Sequence, residues 1–197
     1  MRLTMLLLIF GLPGLWGMGT APLAPPGLDL PQFLSRLRVS FYNSVESAAA
    51  TEQTVAAIQA AFPSKRDSWP PVILAYYAAL EGLRGKHASG LLNKLGHVNT
   101  AVSLMRRLPE DNPGSLEIRF LRFSLFRQLP LFFGVRPTVG PDLAVLIRML
   151  EAGADPDVPR EVRRDMVSYL IGCREADRAQ IERLQQLGFV PAAEGEP

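Results

Sequence analysis

The stretch from Val72 to Gly134 constrains the fold of this chain more than any other, because its apolar residues recur at helical spacing in three successive segments. In the first segment, small and large residues fall on opposite faces when consecutive positions are set about 100° apart. A helix with two such faces packs between neighbours, since the small face admits close approach and the large face fills the core. The small face comprises Ala75, Ala78, Ala79 and Gly82, and the large face comprises Val72, Tyr76, Leu80 and Leu83.

The second and third segments are also predicted to be helices. The second covers about Leu91 to Leu108 and ends at a proline-containing turn over 109–115. The third runs from Ser115 to Leu129 and is apolar almost all round. That composition is typical of a central and mostly buried helix.

Two further helices are predicted before this stretch. Asp29 can cap the first, which is amphipathic and extends to about Glu46. Ser47 or Thr51 can cap the second, since both side chains carry the hydroxyl oxygen that accepts from a helix N-terminus.

Three more helices are predicted after it. Asp142 is expected to cap a helix over 143–151, and two others begin near Asp157 and near Ala176. No segment alternates with period two for long enough to form a strand. The sequence therefore predicts an all-α fold of about eight helices in antiparallel hairpins, stacked as a short α-solenoid.

The first residues have the pattern of a targeting segment. Arg2 gives a positive end, and the apolar run from Leu3 to Leu12 is shorter than the roughly 20 residues of a membrane span. Small residues near Gly17 offer a cleavage site, so we predict a signal peptide over 1–19. The mature chain would then have no transmembrane span and would be periplasmic or secreted. We expect a proline-rich linker over 20–31, one helical domain over 32–190 and a disordered tail over 191–197.

Composition argues against several classes of function. The formal net charge of +2 is too small to imply a nucleic-acid partner. Cys173 is the single cysteine, so it can form no internal disulfide, and it lacks the neighbours that a zinc site needs. In an oxidising compartment we expect this thiol to be buried, because an exposed one invites cross-linking.

The end of the second central helix and the turn after it resemble a junction between tetratricopeptide repeats. In that family an alanine of one repeat is followed by a turn with Asp, Asn and Pro and then by the next repeat. The residues that match this pattern are Ala101, Asp111, Asn112, Pro113 and Glu117. The resemblance implies a divergent array, because Val72 and Ser115 are 43 positions apart, whereas the family repeats about every 34 residues.

The central region also resembles a group of uncharacterised exported bacterial proteins. The matching pieces are Ala75-Tyr76, Asn93 to Leu95, Glu117 to Arg122 and Leu129 to Gly134. That group has no assigned activity, so this resemblance implies the fold and the export but no reaction.

Three basic residues fall on helices that are otherwise predicted to be apolar. A buried cation must have a partner, and we consider two sources for it. In the functional hypothesis Lys94, Arg119 and Arg122 converge with Glu117 on an anionic ligand or a peptide carboxylate, which arginine's planar fork suits. In the alternative, the cations pair internally with Glu81 or Glu117, and their stems pack on apolar neighbours.

The loop after the third central helix carries Phe132 and Phe133. These rings are candidates for a partner-binding anchor. The alternative is that the loop folds back over the core.

No pattern of catalytic, metal-binding or cofactor-binding residues is evident. His87 and His97 are ten positions apart without further ligands at a useful spacing. Asp155 and Asp157 are too few for calcium and fit helix capping better. A nucleophile elbow and a phosphate-binding glycine loop are both missing from the sequence.

The sequence therefore favours an exported helical-repeat protein of the bacterial cell envelope that binds or scaffolds another envelope protein or a peptide. The alternative is a small anionic-ligand or enzymatic site around Lys94, Arg119 and Arg122. A purely structural envelope protein is a third option. The sequence does not determine the oligomeric state.

Overall fold

The computed structural model describes residues 28–63 and 65–189, and every regular element within them is helical. The all-α prediction is therefore confirmed. The α-helices are α1 (Leu30–Ser44), α2 (Ala48–Ala61), α3 (Pro71–His87), α4 (Leu91–Met105), α5 (Leu108–Asp111), α6 (Leu116–Phe126), α7 (Val139–Glu151), α8 (Arg160–Gly172) and α9 (Arg178–Gln186). Three 3₁₀ turns accompany them, at Arg66–Ser68, Leu131–Phe133 and Arg136–Thr138. The predicted signal peptide, residues 20–27 of the predicted linker and the predicted tail lie outside the described residues, and the linker's last two residues, Leu30 and Pro31, belong to α1.

None of the described helices combines the length and the apolar character needed to cross a bilayer. The described residues divide into two compact units, of which the larger ends at Asp142 and the smaller begins at Leu143. One helical domain over 32–190 stays a prediction.

Helix α3 is the centre of the larger unit and packs against α1, α2, α4 and α6. Its residues are buried on nearly all sides, from Ile73 (0% exposed) to Glu81 (4%). The prediction that this helix lies between neighbours is therefore confirmed. The connections between α1 and α2 and between α3 and α4 are three residues each, which makes each pair a helical hairpin.

Two predicted caps are present in the larger unit. The Asp29 carboxylate accepts a hydrogen bond from the Gln32 amide (3.2 Å) at the start of α1. Ser47 accepts from the Ala50 amide (3.2 Å) at the start of α2. Both oxygens satisfy amides that have no acceptor within their own helix.

The prediction that Asp142 caps a helix was wrong. Helix α7 already begins at Val139, and Asp142 lies in its first turn with 1% of its surface exposed. Pro141 also lies within α7. A proline is nevertheless compatible with the first turn, because the amide it lacks would have no acceptor within the helix. The helix before α5 was also predicted too long, since α4 ends at Met105 and a separate turn of helix begins at Leu108.

In the smaller unit, α8 and α9 pack together. Asp177 and Gln180 form a reciprocal capping box at the start of α9. Glu151 at the end of α7 pairs with Arg183 of α9 at 2.6 Å. Cys173 is 6% exposed, in agreement with the burial expected for it.

We predict that Gly85→Ala lowers the free energy of unfolding by about 1–3 kcal/mol, which is the usual cost of overpacking. A Cβ at this position of α3 would lie 2.7 Å from Val98 Cγ2 and 3.3 Å from the Lys94 carbonyl oxygen of α4. Gly96→Ala is the matched control, because a Cβ there meets nothing within 4 Å. This control should gain up to about 1 kcal/mol of helix propensity. Urea denaturation measures both, and equal stability of the two variants would contradict the close approach of α3 and α4.

Candidate functional site

Three charged residues lie buried on α6, a helix that is otherwise apolar. Glu117 is 3% exposed, Arg119 is 9% exposed and Arg122 is 3% exposed. Charges at such depth must be neutralised by neighbours, so their partners decide whether a ligand is needed.

Arg119 and Arg122 converge on one carboxylate, that of Asp142. Arg122 donates to it through Nε (2.8 Å) and Nη2 (2.6 Å), and Arg119 donates through Nη1 (2.9 Å). Burial opposes the charge on Arg122, yet the hydrogen bonds to Asp142 and Glu110 outweigh it and raise the pKa of this guanidinium. Each arginine also donates to a backbone carbonyl, Arg122 to that of Arg106 (3.0 Å) and Arg119 to that of Pro109 (3.1 Å).

Glu117 faces a different set of partners. Its carboxylate accepts from Arg38 Nε (2.8 Å), from Arg38 Nη2 (2.7 Å) and from the Tyr76 hydroxyl (2.5 Å). Burial and the adjacent carboxylate raise the pKa of Tyr76 well above its ordinary value, so this hydroxyl stays protonated and donates. Glu117 thereby joins α6 to α1 and α3.

The structure therefore brings Arg119 and Arg122 together and places Lys94 and Glu117 among other partners. The Lys94 amine donates to the Lys86 carbonyl oxygen at 3.3 Å. An anionic-ligand site at the three cations stays a prediction, and this geometry favours internal pairing. The prediction that Glu81 or Glu117 neutralises the two arginines was wrong. Asp142 pairs with both of them, and Glu110 pairs with Arg122.

The aromatic loop contains one strongly exposed ring. Phe132 is 73% exposed, whereas Phe133 is half-buried, and the two ring centroids are 4.5 Å apart. The loop thus presents Phe132 to solvent. A partner-binding role for these two residues stays a prediction.

A further cluster, which sequence reasoning missed, surrounds Glu81 of α3. This carboxylate is 4% exposed and accepts from His97 Nδ1 (2.8 Å) and Arg84 Nη1 (2.9 Å). The Tyr77 hydroxyl is a third hydrogen-bond partner. Arg84 also reaches the carboxylate of Glu52 on α2, at 2.5 Å for the shorter contact.

These contacts fix the protonation of the cluster. Burial opposes ionisation of Glu81, but the hydrogen bonds from His97, Tyr77 and Arg84 outweigh it and lower the pKa of this carboxyl. An ionised Glu81 accepts, so His97 Nδ1 carries a proton.

His97 and Arg84 line an open groove on the α3–α4 hairpin. Its volume is about 440 Å³, and it is lined by Arg66, Tyr77, Glu81, Arg84, Leu92, Asn93, Gly96, His97 and Thr100. A smaller hollow of about 150 Å³ shares Arg84 and His97 and extends toward α2. At the start of α4, Leu91 is 69% exposed and Leu92 is 83% exposed. We call the larger feature the α3–α4 groove.

The groove has no feature of a metal site. Within residues 28–63 and 65–189, no group of three or more His, Cys, Asp or Glu side chains could hold a metal ion. His87 Nε2 instead lies 3.1 Å from the Ser44 carbonyl oxygen.

Comparisons of the chain with protein-family models, with curated proteins and with solved structures each found no match. The resemblance to tetratricopeptide repeats therefore stays a prediction.

We predict that Asp142→Asn lowers the free energy of unfolding by about 3–5 kcal/mol, because it leaves two buried guanidiniums without their carboxylate. Glu110→Gln is the matched control, since its carboxylate pairs with Arg122 but is 56% exposed. An exposed partner contributes at most about 1 kcal/mol. Chemical denaturation measures both variants, and a small effect of Asp142→Asn would argue that the arginines have another counter-ion.

We predict that Glu81 contributes stability at pH values above its ordinary pKa of 4.5 and that this contribution is lost as the pH falls through its lowered folded-state pKa. The sign follows because the unfolded chain binds the proton first, so acidification favours unfolding. Urea titrations of the original chain and of Glu81→Gln across this range test it. The stability difference between them should shrink on acidification. A difference that does not change with pH would contradict the buried ionised state.

Proposed function

We propose that this chain is an exported helical interaction module that binds a peptide segment of another cell-envelope protein in the α3–α4 groove. The observation that carries the proposal is the groove itself. It is open to solvent and is lined by Leu92, whose side chain is 83% exposed. Apolar side chains exposed beside a groove are typical anchoring points for a partner.

The openness of the groove supports a macromolecular ligand over a small molecule. Small-molecule sites usually enclose most of the ligand's surface. The α3–α4 groove is instead a surface feature with a volume of about 440 Å³. Such a volume suits a few side chains of a longer segment that continues across the surface.

The charges around the groove suggest the chemistry of that segment. Arg84 is already neutralised by Glu81 and Glu52. Arg66 lies over the ring of Tyr77, with its guanidinium carbon 5.2 Å from the centroid, and is exposed. A peptide segment would match this surface if it carried an apolar side chain that packs on Leu92 and an acidic side chain that pairs with Arg66.

The contacts of the groove support binding better than catalysis. His97 is oriented by a buried carboxylate, as a catalytic base would be. Two hydroxyl-bearing side chains line the same groove: Tyr77, whose hydroxyl is bonded to Glu81, and Thr100, whose Oγ1 donates to the Gly96 carbonyl oxygen at 3.0 Å. A threonine hydroxyl that donates to a carbonyl of its own helix usually has a structural role. A catalytic nucleophile would instead be hydrogen-bonded to its general base. Export rests on the sequence of residues 1–19, so the partner is to be sought in the cell envelope.

Site-specific photo-cross-linking tests the proposal. A photoreactive amino acid replaces Leu92 in one variant and Val39 of α1 in the control, since Val39 is also an exposed apolar residue of the larger unit (50% exposed). We expect one envelope protein to be cross-linked from position 92 and not from position 39.

Leu92→Asp should weaken that association by about tenfold or more, because it places a charge at an apolar anchor. Val39→Asp should leave it unchanged. Equal cross-linking from both positions, or equal loss in both aspartate variants, would contradict a binding site in the groove.

A further inference from the structure

Gly96 lies in the interior of α4, at a position that does not favour glycine. The helix runs from Leu91 to Met105, so a full turn precedes Gly96 and two turns follow it. Glycine destabilises the interior of a helix relative to alanine, because it loses more conformational freedom on folding. The missing side chain at this position therefore calls for a physical reason.

The conformation of the backbone does not supply that reason. The glycines of the described residues that have a positive φ include Gly90 at +80° and Gly134 at +66°, and Gly96 is not one of them. Its carbonyl oxygen accepts a hydrogen bond from Thr100 Oγ1 at 3.0 Å, as carbonyls of ordinary helices do. Any residue that is compatible with a helix could adopt this conformation.

Packing within the chain does not supply the reason either. On α3, a Cβ at Gly82 would lie 2.5 Å from Leu125 Cδ1, and a Cβ at Gly85 would lie 2.7 Å from Val98 Cγ2. These two glycines allow neighbouring helices to approach closely. A Cβ at Gly96 would meet nothing within 4 Å among the described residues. The space above Gly96 is therefore not filled by the unit itself.

This space belongs to the α3–α4 groove. Gly96 is exposed and lines the groove. Leu92, one turn earlier on α4, also lines it and is 83% exposed. Thr100, one turn later, lines it as well and directs its hydroxyl back to its own helix. Along the groove, α4 thus presents a large apolar side chain followed by a position without a side chain.

We propose that Gly96 is the specificity-determining residue of the α3–α4 groove. The main chain of the bound segment crosses α4 directly over Gly96, and the segment carries Gly, Ala or Ser at the crossing while its apolar side chain packs on Leu92. Close approach of two main chains requires small residues on both of them. This inference rests on the proposed function, because it specifies the chemistry of the segment that the groove binds.

The test enlarges the side chain at position 96 in two steps, with Gly96→Ala and Gly96→Leu in the full chain. Asn99→Leu is the matched control, since Asn99 is exposed on the same helix outside the groove. The probe is a synthetic peptide of the segment that cross-links from position 92, identified by mass spectrometry of the cross-linked product. Isothermal titration calorimetry measures its Kd for the original chain and for each variant, and urea denaturation measures their stability.

We expect Gly96→Ala to weaken peptide binding by about fivefold and Gly96→Leu by about fiftyfold or more, because each overfills a close contact. Asn99→Leu should change the Kd by less than about twofold, as a surface substitution away from the contact. Gly96→Ala should also raise the urea midpoint, since alanine favours a helix more than glycine does. A variant that is more stable and yet binds more weakly separates a binding role from a structural one.

Two results would overturn the inference. The first is a peptide that binds Gly96→Leu as tightly as it binds the original chain. The second is equal weakening by Asn99→Leu. If cross-linking from position 92 persists undiminished in Gly96→Leu, this inference is wrong and the proposed function stands. If the original chain gives no cross-linked product from position 92, both are wrong.

Discussion

The charges buried on α6 are the constraint on which the larger unit depends. Glu117 joins this helix to α1 through Arg38 and to α3 through Tyr76. One turn further along, Arg119 and Arg122 join it to the first turn of α7 through Asp142. A helix that is apolar almost all round can pack in several orientations with similar energy. Because an unpaired buried charge is costly, we infer that these ion pairs select one of them.

The close packing of α3 and α4 creates the surface that we assign to binding. Gly85 lets the two helices approach, and this places His97 of α4 within hydrogen-bonding distance of Glu81 of α3. The buried carboxylate then orients the imidazole and, together with Glu52, neutralises Arg84. The same packing leaves the start of α4 beyond the reach of its neighbours, so Leu91 and Leu92 remain exposed. We infer that the close approach at Gly85 shapes the α3–α4 groove.

Local structure could be predicted from the sequence, whereas the pairing of charges could not. Helical spacing and capping residues identified the helices, and the two faces of α3 indicated its central position. The burial of the arginines on α6 followed from their apolar neighbours. The identity of their partner could not be predicted, because Asp142 is 20 residues beyond Arg122 and follows a loop without periodicity. Glu81 and His97 were missed for a similar reason: they are 16 residues apart on two helices, and only the geometry of the hairpin brings them together.

A double-mutant cycle on Arg38 and Glu117 tests the role of these ion pairs most directly. These two residues are 79 positions apart in the chain, so the coupling energy between them reports a tertiary contact and not local helix structure. The variants Arg38→Met, Glu117→Gln and their combination are compared with the original chain by urea denaturation. Our account predicts that Glu117→Gln and Arg38→Met each cost about 3–5 kcal/mol and that the combination costs at least about 2 kcal/mol less than their sum. Losses that add to within about 0.5 kcal/mol would contradict it.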